Sequence, residues 1–264
     1  MNKPKILTLD LETAPIEGYV WGLFDQNMGL NQIKQDWTIL AWAAKWYGDP
    51  ASKVRYMDNR KVKNVRDDKK LVKGLAALLN EADIIITQNG KNFDVKKVNA
   101  RALINKLPPI KPFSPSQHID IYKEEKKIFG FTSHKLEYKT EQINKKYKKL
   151  KHGKYPGFAL WKAVLAGDPL AWKEMEKYTK YDVLSTEEHY DLVKGWIKIP
   201  ALSAFIDDEK MRCQCGSDKL VKKGFANTDT GKFQIYHCRT CGKWPRSSVN
   251  LLSAEKKRSM LRGR

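Results

Sequence analysis

Asp10 and Glu12 stand two apart in Lys5-Ile6-Leu7-Thr8-Leu9-Asp10-Leu11-Glu12, where Leu7, Leu9 and Leu11 alternate with Ile6, Thr8, Asp10 and Glu12. In a strand this alternation places both carboxylates on one face, about 6.6 Å apart in Cα position. They could share a cation, although a lone Asp-x-Glu is more often the wet face of an ordinary strand. Asn89-Gly90-Lys91-Asn92-Phe93-Asp94 follows the apolar run Asp83 to Thr87 and opens a helix with Asp94 in its first turn. An Asp that merely stabilises the helix dipole would look the same. Tyr178 and Asp182 lie four apart, one helical turn from each other, on a stripe that otherwise carries Ala171 and Met175. A carboxylate in a core stripe needs a partner or a metal, because an unpaired buried charge is too costly to keep. Taken jointly, Asp10, Glu12, Asp94 and Asp182 form an oxygen donor set for hard Mg²⁺ or Mn²⁺. Two such ions about 4 Å apart activate a water and stabilise a leaving oxygen in phosphodiester hydrolysis.

The elements that must position these groups are legible from periodicity. Lys5 to Leu11 reads as a strand, Trp37 to Tyr47 as a second and Val54 to Met57 as a third. Asp67 to Asn80 carries Leu71, Leu75, Leu78 and Leu79 at helical spacing, and the β-rich Asp83 to Thr87 follows as a buried strand. Phe93 to Lys106 predicts a helix that stops before Pro108-Pro109. Further helices are expected around Asp120 to Phe129, His134 to Asn144 and Pro169 to Lys194, giving a mixed α/β layer fold. Trp21 to Ile33 is an excursion between the first two strands, expected to be a packed loop, with a lid or a partner surface as the alternatives.

Leu9-Asp10-Leu11-Glu12-Thr13, the Asn89 to Asp94 motif and Tyr178-Thr179-Lys180-Tyr181-Asp182 resemble the three exonuclease motifs of the DEDD superfamily. The motif set is most similar to the proofreading 3′–5′ exonuclease domains of family B DNA polymerases and their stand-alone cousins, over roughly residues 5–195. The resemblance implies an α/β, RNase H-like fold: a mixed five-stranded sheet flanked by helices, with the site at the sheet centre. It also implies two-metal-ion hydrolysis of the terminal phosphodiester at a 3′ end, releasing nucleoside monophosphates. By the same resemblance Asp10 bridges both ions, Glu12 and Asp182 complete the water-activating site, Asp94 holds the second ion and Tyr178 orients the attacking water. The histidine subclass places its histidine five residues before the last Asp, where this chain has Lys177, so the tyrosine subclass (DEDDy) fits better. Thr13, Asn89 and Phe93 match positions that contact the 3′-terminal nucleotides, Phe93 being an equally good core residue. His118, His134, His152 and His189 fall at no motif position and read as structural or solvated. No polymerase domain accompanies the motifs in this sequence.

Cys213-Gln214-Cys215 and Cys238-Arg239-Thr240-Cys241 supply thiolates in two pairs, which suits one structural Zn²⁺ in a Cys₄ site. Gly216 and Gly242 follow the pairs as turn residues, and Lys232 to Tyr236 predicts a strand of a small hairpin. The segment resembles a C-terminal zinc ribbon of the kind found in transposase-like proteins. Its first knuckle is shorter by one residue than the usual pattern, which leaves His237 as a minor alternative ligand. Lys222, Lys223, Lys232, Arg239, Lys243 and Arg246 interleave with Phe225, Tyr236 and Trp244, a pattern suited to single-stranded nucleic acid.

The whole chain has 264 residues, 50 Lys and Arg against 30 Asp and Glu, and a formal charge of +20. A surface with this imbalance seeks polyanions. Between Ile143 and Lys154 the lysines 145, 146, 148, 149, 151 and 154 meet no acid within the segment, and Lys145, Lys146, Lys148 and Lys149 are candidate phosphate contacts. The expected organisation is an exonuclease domain over 1–197, a linker over 198–210, the zinc ribbon over 211–246 and a flexible basic tail over 247–264, with Lys256, Lys257, Arg258, Arg262 and Arg264. No apolar run reaches membrane-span length and no secretory leader is visible, so the expected location is the cytoplasm, that of the host for a phage protein. The partners implied are single-stranded DNA or DNA 3′ ends, with replication or repair proteins, and no membrane. Two alternatives stay open: a structure-specific or RNA-directed nuclease on the same fold, and a nucleic-acid-binding protein with an inactive nuclease site.

Overall fold

The structure is a computed structural model that describes residues 4–114, 117–150 and 153–261. Lys151, His152, Arg262 and Arg264 lie outside the described residues. The chain divides into two compact units, Lys5–Leu192 and one built mainly from Val193 onward.

In the first unit the alternation of Leu7, Leu9 and Leu11 yields β1 (Ile6–Thr13). A short pair, β2 (Glu17–Gly18) and β3 (Ile33–Gln35), is followed by β4 (Ile39–Trp46), almost wholly buried, and β5 (Arg55–Asp58). Next come α1 (Lys69–Glu81), β6 (Ile84–Thr87), α2 (Asp94–Ile104) and β7 (His118–Asp120). The helices α3 (Ile121–Glu125), α4 (Leu136–Ile143), α5 (Ala159–Leu165) and α6 (Pro169–Val193) complete it. The sheet is mixed and five-stranded, in the order β5-β4-β1-β6-β7, with β4 antiparallel and β6 parallel to the central β1. The helix expected over Asp120 to Phe129 is shorter than its periodicity predicts, because its first residues are spent on β7 and Asp120 caps α3 by accepting Lys123 N–H.

Two cores flank the sheet. Leu7, Leu9 and Leu11 pack with Leu71, Leu75 and Leu79 of α1 and Val98 and Ala102 of α2. On the opposite side Leu40 and Ala41 of β4 meet Leu160 and Val164 of α5 and Ala171, Trp172 and Met175 of α6. The first core is locked by Asp68, which is fully buried and accepts Ile39 N–H at 2.9 Å and a two-pronged contact from Arg101 at 2.6 and 2.9 Å. Asp68 thus ties the start of α1 to β4 and α2. The second is clamped by Lys45, buried in β4, whose ammonium donates to Glu187 of α6 at 2.7 Å.

The Trp21 to Ile33 excursion is not the packed loop expected. Trp21, Leu23, Phe24 and Leu30 are all more than four-fifths exposed, with Trp21 at 97 %. The segment is anchored only at its root, where Tyr19 N–H donates to Gln32 O and Gln32 Nε2 donates to Tyr19 O, both at 2.9 Å.

The second unit contains an antiparallel hairpin, β8 (Leu220–Thr228) and β9 (Gly231–Cys238), and a short helix α7 (Ala254–Arg258) capped by Ser253. Lys256, Lys257 and Arg258 therefore sit in a helical turn, where a flexible tail was expected. Among the described residues no helix is long and apolar enough to cross a membrane.

Candidate active site

Because Leu7, Leu9 and Leu11 are drawn into the α1 and α2 core, the alternate residues of β1 face α6: Thr8 Oγ1 lies 3.5 Å from Glu187 Oε2. The next two residues on that face are Asp10 and Glu12. On α6, Ala171 and Met175 enter the core and the same stripe continues into Tyr178 and Asp182, both buried. Carboxylate oxygens of Asp10, Glu12 and Asp182 come within 4.8 Å of one another.

Asp94 stands beside this cluster, not within it. It is the first residue of α2, is 4 % exposed and accepts Leu11 N–H and its own N–H. Its Oδ1 is buried without a hydrogen-bond partner. The turn that delivers it is built by residues with no separate signal in the sequence. Asn89 has a left-handed φ of 69°, and Gly90 N–H donates to Thr87 Oγ1 at 3.2 Å. A Cβ on Gly90 would stand 2.4 Å from that oxygen, so the position admits only glycine without movement. Asp120, at the end of β7, accepts Asn89 N–H and Lys91 N–H, each at 3.0 Å.

Crowding of acids raises their proton affinity. Burial first, then Asp182, Asp94 and Glu12, holds the Asp10 carboxyl well above the usual range. Glu12 is pushed up to about 8 by burial and by Asp182, against an indole hydrogen bond from Trp161 of α5. Asp94 is raised to about 7 by burial. The cation that offsets this charge is Lys149, whose ammonium is paired with Asp182 and lies 4.3 Å from the centre of the Tyr178 ring. Burial alone would lower its pKa, but Asp182, Tyr178 and Asp10 outweigh burial and hold it above the ordinary lysine value. Burial, then Asp182, raises the Tyr178 phenol, so Tyr178 stays protonated at neutral pH.

The other expected substrate contacts spread around this cluster. Thr13 ends β1 at a register shift after Glu12 and is half-buried, as is Asn89. Phe93 packs against the α1 and α2 core, with Lys97 Nζ 5.5 Å from its ring centre. The lysine segment, free of acids in sequence, finds them on other elements. Glu188 of α6 accepts the backbone N–H of Lys145, Lys146 and Tyr147 at 3.0, 3.0 and 2.6 Å, and Lys148 pairs with Glu141 at 3.3 Å. Asn144 donates to Ser185 O and Tyr147 O at 2.9 and 2.8 Å, and its Oδ1 is 3.1 Å from the buried His189. The far side of that ring contacts Glu125 at 2.5 Å. His118 contacts Thr87 Oγ1 at 2.8 Å, and His134 packs edge-on to Tyr122. All three histidines are structural. His237 stacks on Trp244 with centroids 4.8 Å apart.

In the second unit the sulfurs of Cys213, Cys215, Cys238 and Cys241 also fall within 4.8 Å of one another. The pairs Cys213–Cys241 and Cys215–Cys238 are 3.6 and 3.7 Å apart. A tetrahedron with its corners 2.3 Å from a central metal has edges of about 3.8 Å, so these thiols fit one zinc ion. Backbone N–H groups of Thr240 and Cys241 point at Cys238 and lower its thiol to about 7, against burial, while Cys215 and Ser217 donate to Cys213 and Cys215. Gly216 and Gly242, at φ of 85° and 75°, make the turns that aim these amides. The acidic cluster passes a similar test for hard cations: its donors are all carboxylates, converge on one space and leave a buried Asp94 oxygen unsatisfied.

Residues 28–194 match the family model RNase_H_2, described as RNase_H superfamily. The chain belongs to the RNase H superfamily. The matched segment of this RNase H superfamily domain holds Asp94, Tyr178 and Asp182 and begins after the β1 carboxylates. The structure is also similar to that of the family B DNA polymerase from the hyperthermophilic archaeon Pyrobaculum calidifontis, with a TM-score of 0.51 and 16 % identity. That similarity covers 73 % of this chain and 25 % of the polymerase, so the chain spans about a quarter of the polymerase's length. No curated protein matches the sequence.

Proposed function

We propose that this RNase H superfamily domain is a metal-dependent 3′–5′ exonuclease of the tyrosine subclass that removes nucleoside monophosphates from single-stranded DNA. The observation that carries the reading is the convergence of Asp10, Glu12 and Asp182 next to the unsatisfied oxygen of Asp94. Acids so crowded that two of them titrate near 7 and 8 are poised to receive cations. Asp10, Glu12, Asp94 and Asp182 would hold two Mg²⁺ or Mn²⁺, which when bound supply an activated water and stabilise the leaving oxygen.

The chain's own groups do the rest. Tyr178, kept protonated, presents a hydroxyl donor beside the carboxylates and positions the attacking water. Trp161 fixes the rotamer of Glu12 through its indole N–H. Lys149 brings a permanent positive charge to the same point, where a phosphate would lie. Thr13, Asn89 and Phe93 would line the place of the terminal nucleotide, with Lys145, Lys146 and Lys148 on its backbone. The domain layout over 1–197, 198–210, 211–246 and 247–264 belongs to the same reading, with a zinc ion on Cys213, Cys215, Cys238 and Cys241. That unit would add affinity for the polyanion: Lys232 Nζ lies 4.2 Å over the Phe225 ring, and Phe225 and Trp244 are exposed.

The test uses single-stranded DNA labelled at its 5′ end, with Mg²⁺ or Mn²⁺, beside a circular strand and an Asp10→Ala variant. A descending ladder, an intact circle and an inactive variant are expected. A cut circle would make the protein an endonuclease, and binding without cleavage would overturn the catalytic reading.

A further inference from the structure

A cavity of about 420 Å³ opens beside Tyr178, on the side away from the β1 carboxylates' own strand, between the segment around residues 153–155 and α6. Lys154, Lys173 and Lys177 line it together with Tyr155, Glu174 and Tyr178. Lys173 and Lys177 are one helical turn apart, hence about 6 Å along the axis on one face of α6. All three lysines are exposed. The wall facing α6 is held in place: Glu174 Oε1 accepts Gly153 N–H at 3.0 Å and Tyr155 donates its hydroxyl to Asp168 at 2.5 Å. The cavity's one carboxylate is thus engaged with backbone, and its charge is set by lysine. Across the single side chain of Tyr178, the lining changes from acids that suit cations to ammonium groups that suit anions.

We propose that this cavity is a second binding subsite, one that holds backbone phosphates of the strand left behind after each cut. The proposal rests on the exonuclease reading and extends it. A nucleoside monophosphate released from a 3′ end carries away only the phosphorus that was attacked. Every other phosphate of the substrate belongs to the retained strand. Lysines placed beyond the carboxylates, with no acid of their own to neutralise, have anions to meet only on that strand. Lysine binds phosphate as a point charge without reading bases, so the subsite gripping the strand is indifferent to sequence and sensitive to salt.

The experiment compares the wild-type protein with a Lys173→Ala, Lys177→Ala double variant on two substrates, a dinucleotide without a 5′ phosphate and a ten-nucleotide strand. The dinucleotide has only the scissile phosphate, so it cannot fill the subsite. The advantage of the longer substrate in kcat/KM is expected to shrink about tenfold in the double variant, with Lys173→Arg, Lys177→Arg restoring it. The salt dependence of strand binding, measured by anisotropy in EDTA, should lose about 1.4 in slope, roughly 0.7 for each phosphate released. An unchanged length advantage would overturn the proposal. So would an equal loss on both substrates, which would put the terminal nucleotide in the cavity. If the wild type cleaves neither substrate the exonuclease reading fails instead, and the binding slope alone then decides whether the cavity takes a strand; equal slopes would overturn that as well.

Discussion

Glu12 carries the largest consequence of any single carboxyl in the site. Its carboxyl is raised to about 8, so between its ordinary value of 4.5 and pH 8 the folded protein binds a proton that the unfolded chain has released. Stability from this group is therefore full below pH 4.5 and is lost as pH rises through about 8. In EDTA at pH 8.5, Glu12→Gln should raise thermal stability by on the order of 1 kcal/mol while abolishing cleavage, and calorimetric melting checks it. Cations compete with those protons, so Mg²⁺ affinity should climb as pH increases from 6 to 8 and level off beyond. Titration calorimetry in buffers of different ionisation enthalpy would show protons released on binding. His118 acts with the opposite sign. Burial, with Lys91 and Lys123, lowers it to about 3, so its contribution is full above 6.5 and is lost as pH falls toward 3. His118→Gln should flatten the acid limb of a stability profile.

At the scale of elements, the β6–α2 turn is the most exacting. Gly90→Ala should cost about 2 kcal/mol, read from urea midpoints, because the new methyl collides with Thr87 and the Thr87 hydroxyl also serves Gly90 N–H and His118. The glycine stands out in the sequence, but its reason, a threonine three residues earlier, does not. The elements with repeated periodicity, β1, α1 and α6, are legible because many residues report the same face. β7 has three residues and α5 has seven, too few for a period to show. The carboxylates themselves were readable as motifs, since each sits at a fixed place in a strand or helix. Their supports were not: Asp120, Trp161, Asn144 and Glu188 reach the site across distant pairings that no local pattern records. Lys149 belongs to both groups, visible as one of a run of lysines yet distinguished only by the fold that brings it to Asp182.

Over the whole molecule, the charge of +20 and the apolar arm act on different partners. Binding to single strands should weaken steeply between 50 and 200 mM salt. The arm around Trp21, Leu23 and Phe24 contributes little to folding, since its side chains touch mostly water. A Trp21→Ser, Leu23→Ser, Phe24→Ser variant should change unfolding free energy by less than about 0.5 kcal/mol, as denaturant melts would report. The second unit depends on metal instead. Its buried side chains include Cys213 and Cys238, and a unit so poor in apolar core needs the metal to fold. A strong zinc chelator, or Cys238→Ser, should therefore abolish the protection of β8 and β9 amides in hydrogen exchange. Re-addition of zinc should restore it to the wild type only.

The carboxylates of the first unit come from the two ends of its sequence, Asp10 on β1 and Asp182 on α6. A ribosome adds about 5–20 residues per second, so roughly 10–30 s separate the synthesis of these two residues. During that interval the growing chain is already rich in lysine and already able to grip polyanions, including the message being translated. It has no cutting edge until α6 clears the exit tunnel and docks against β1. The order of the elements thus works as a delay fuse, arming the site only when the chain that carries it is nearly made.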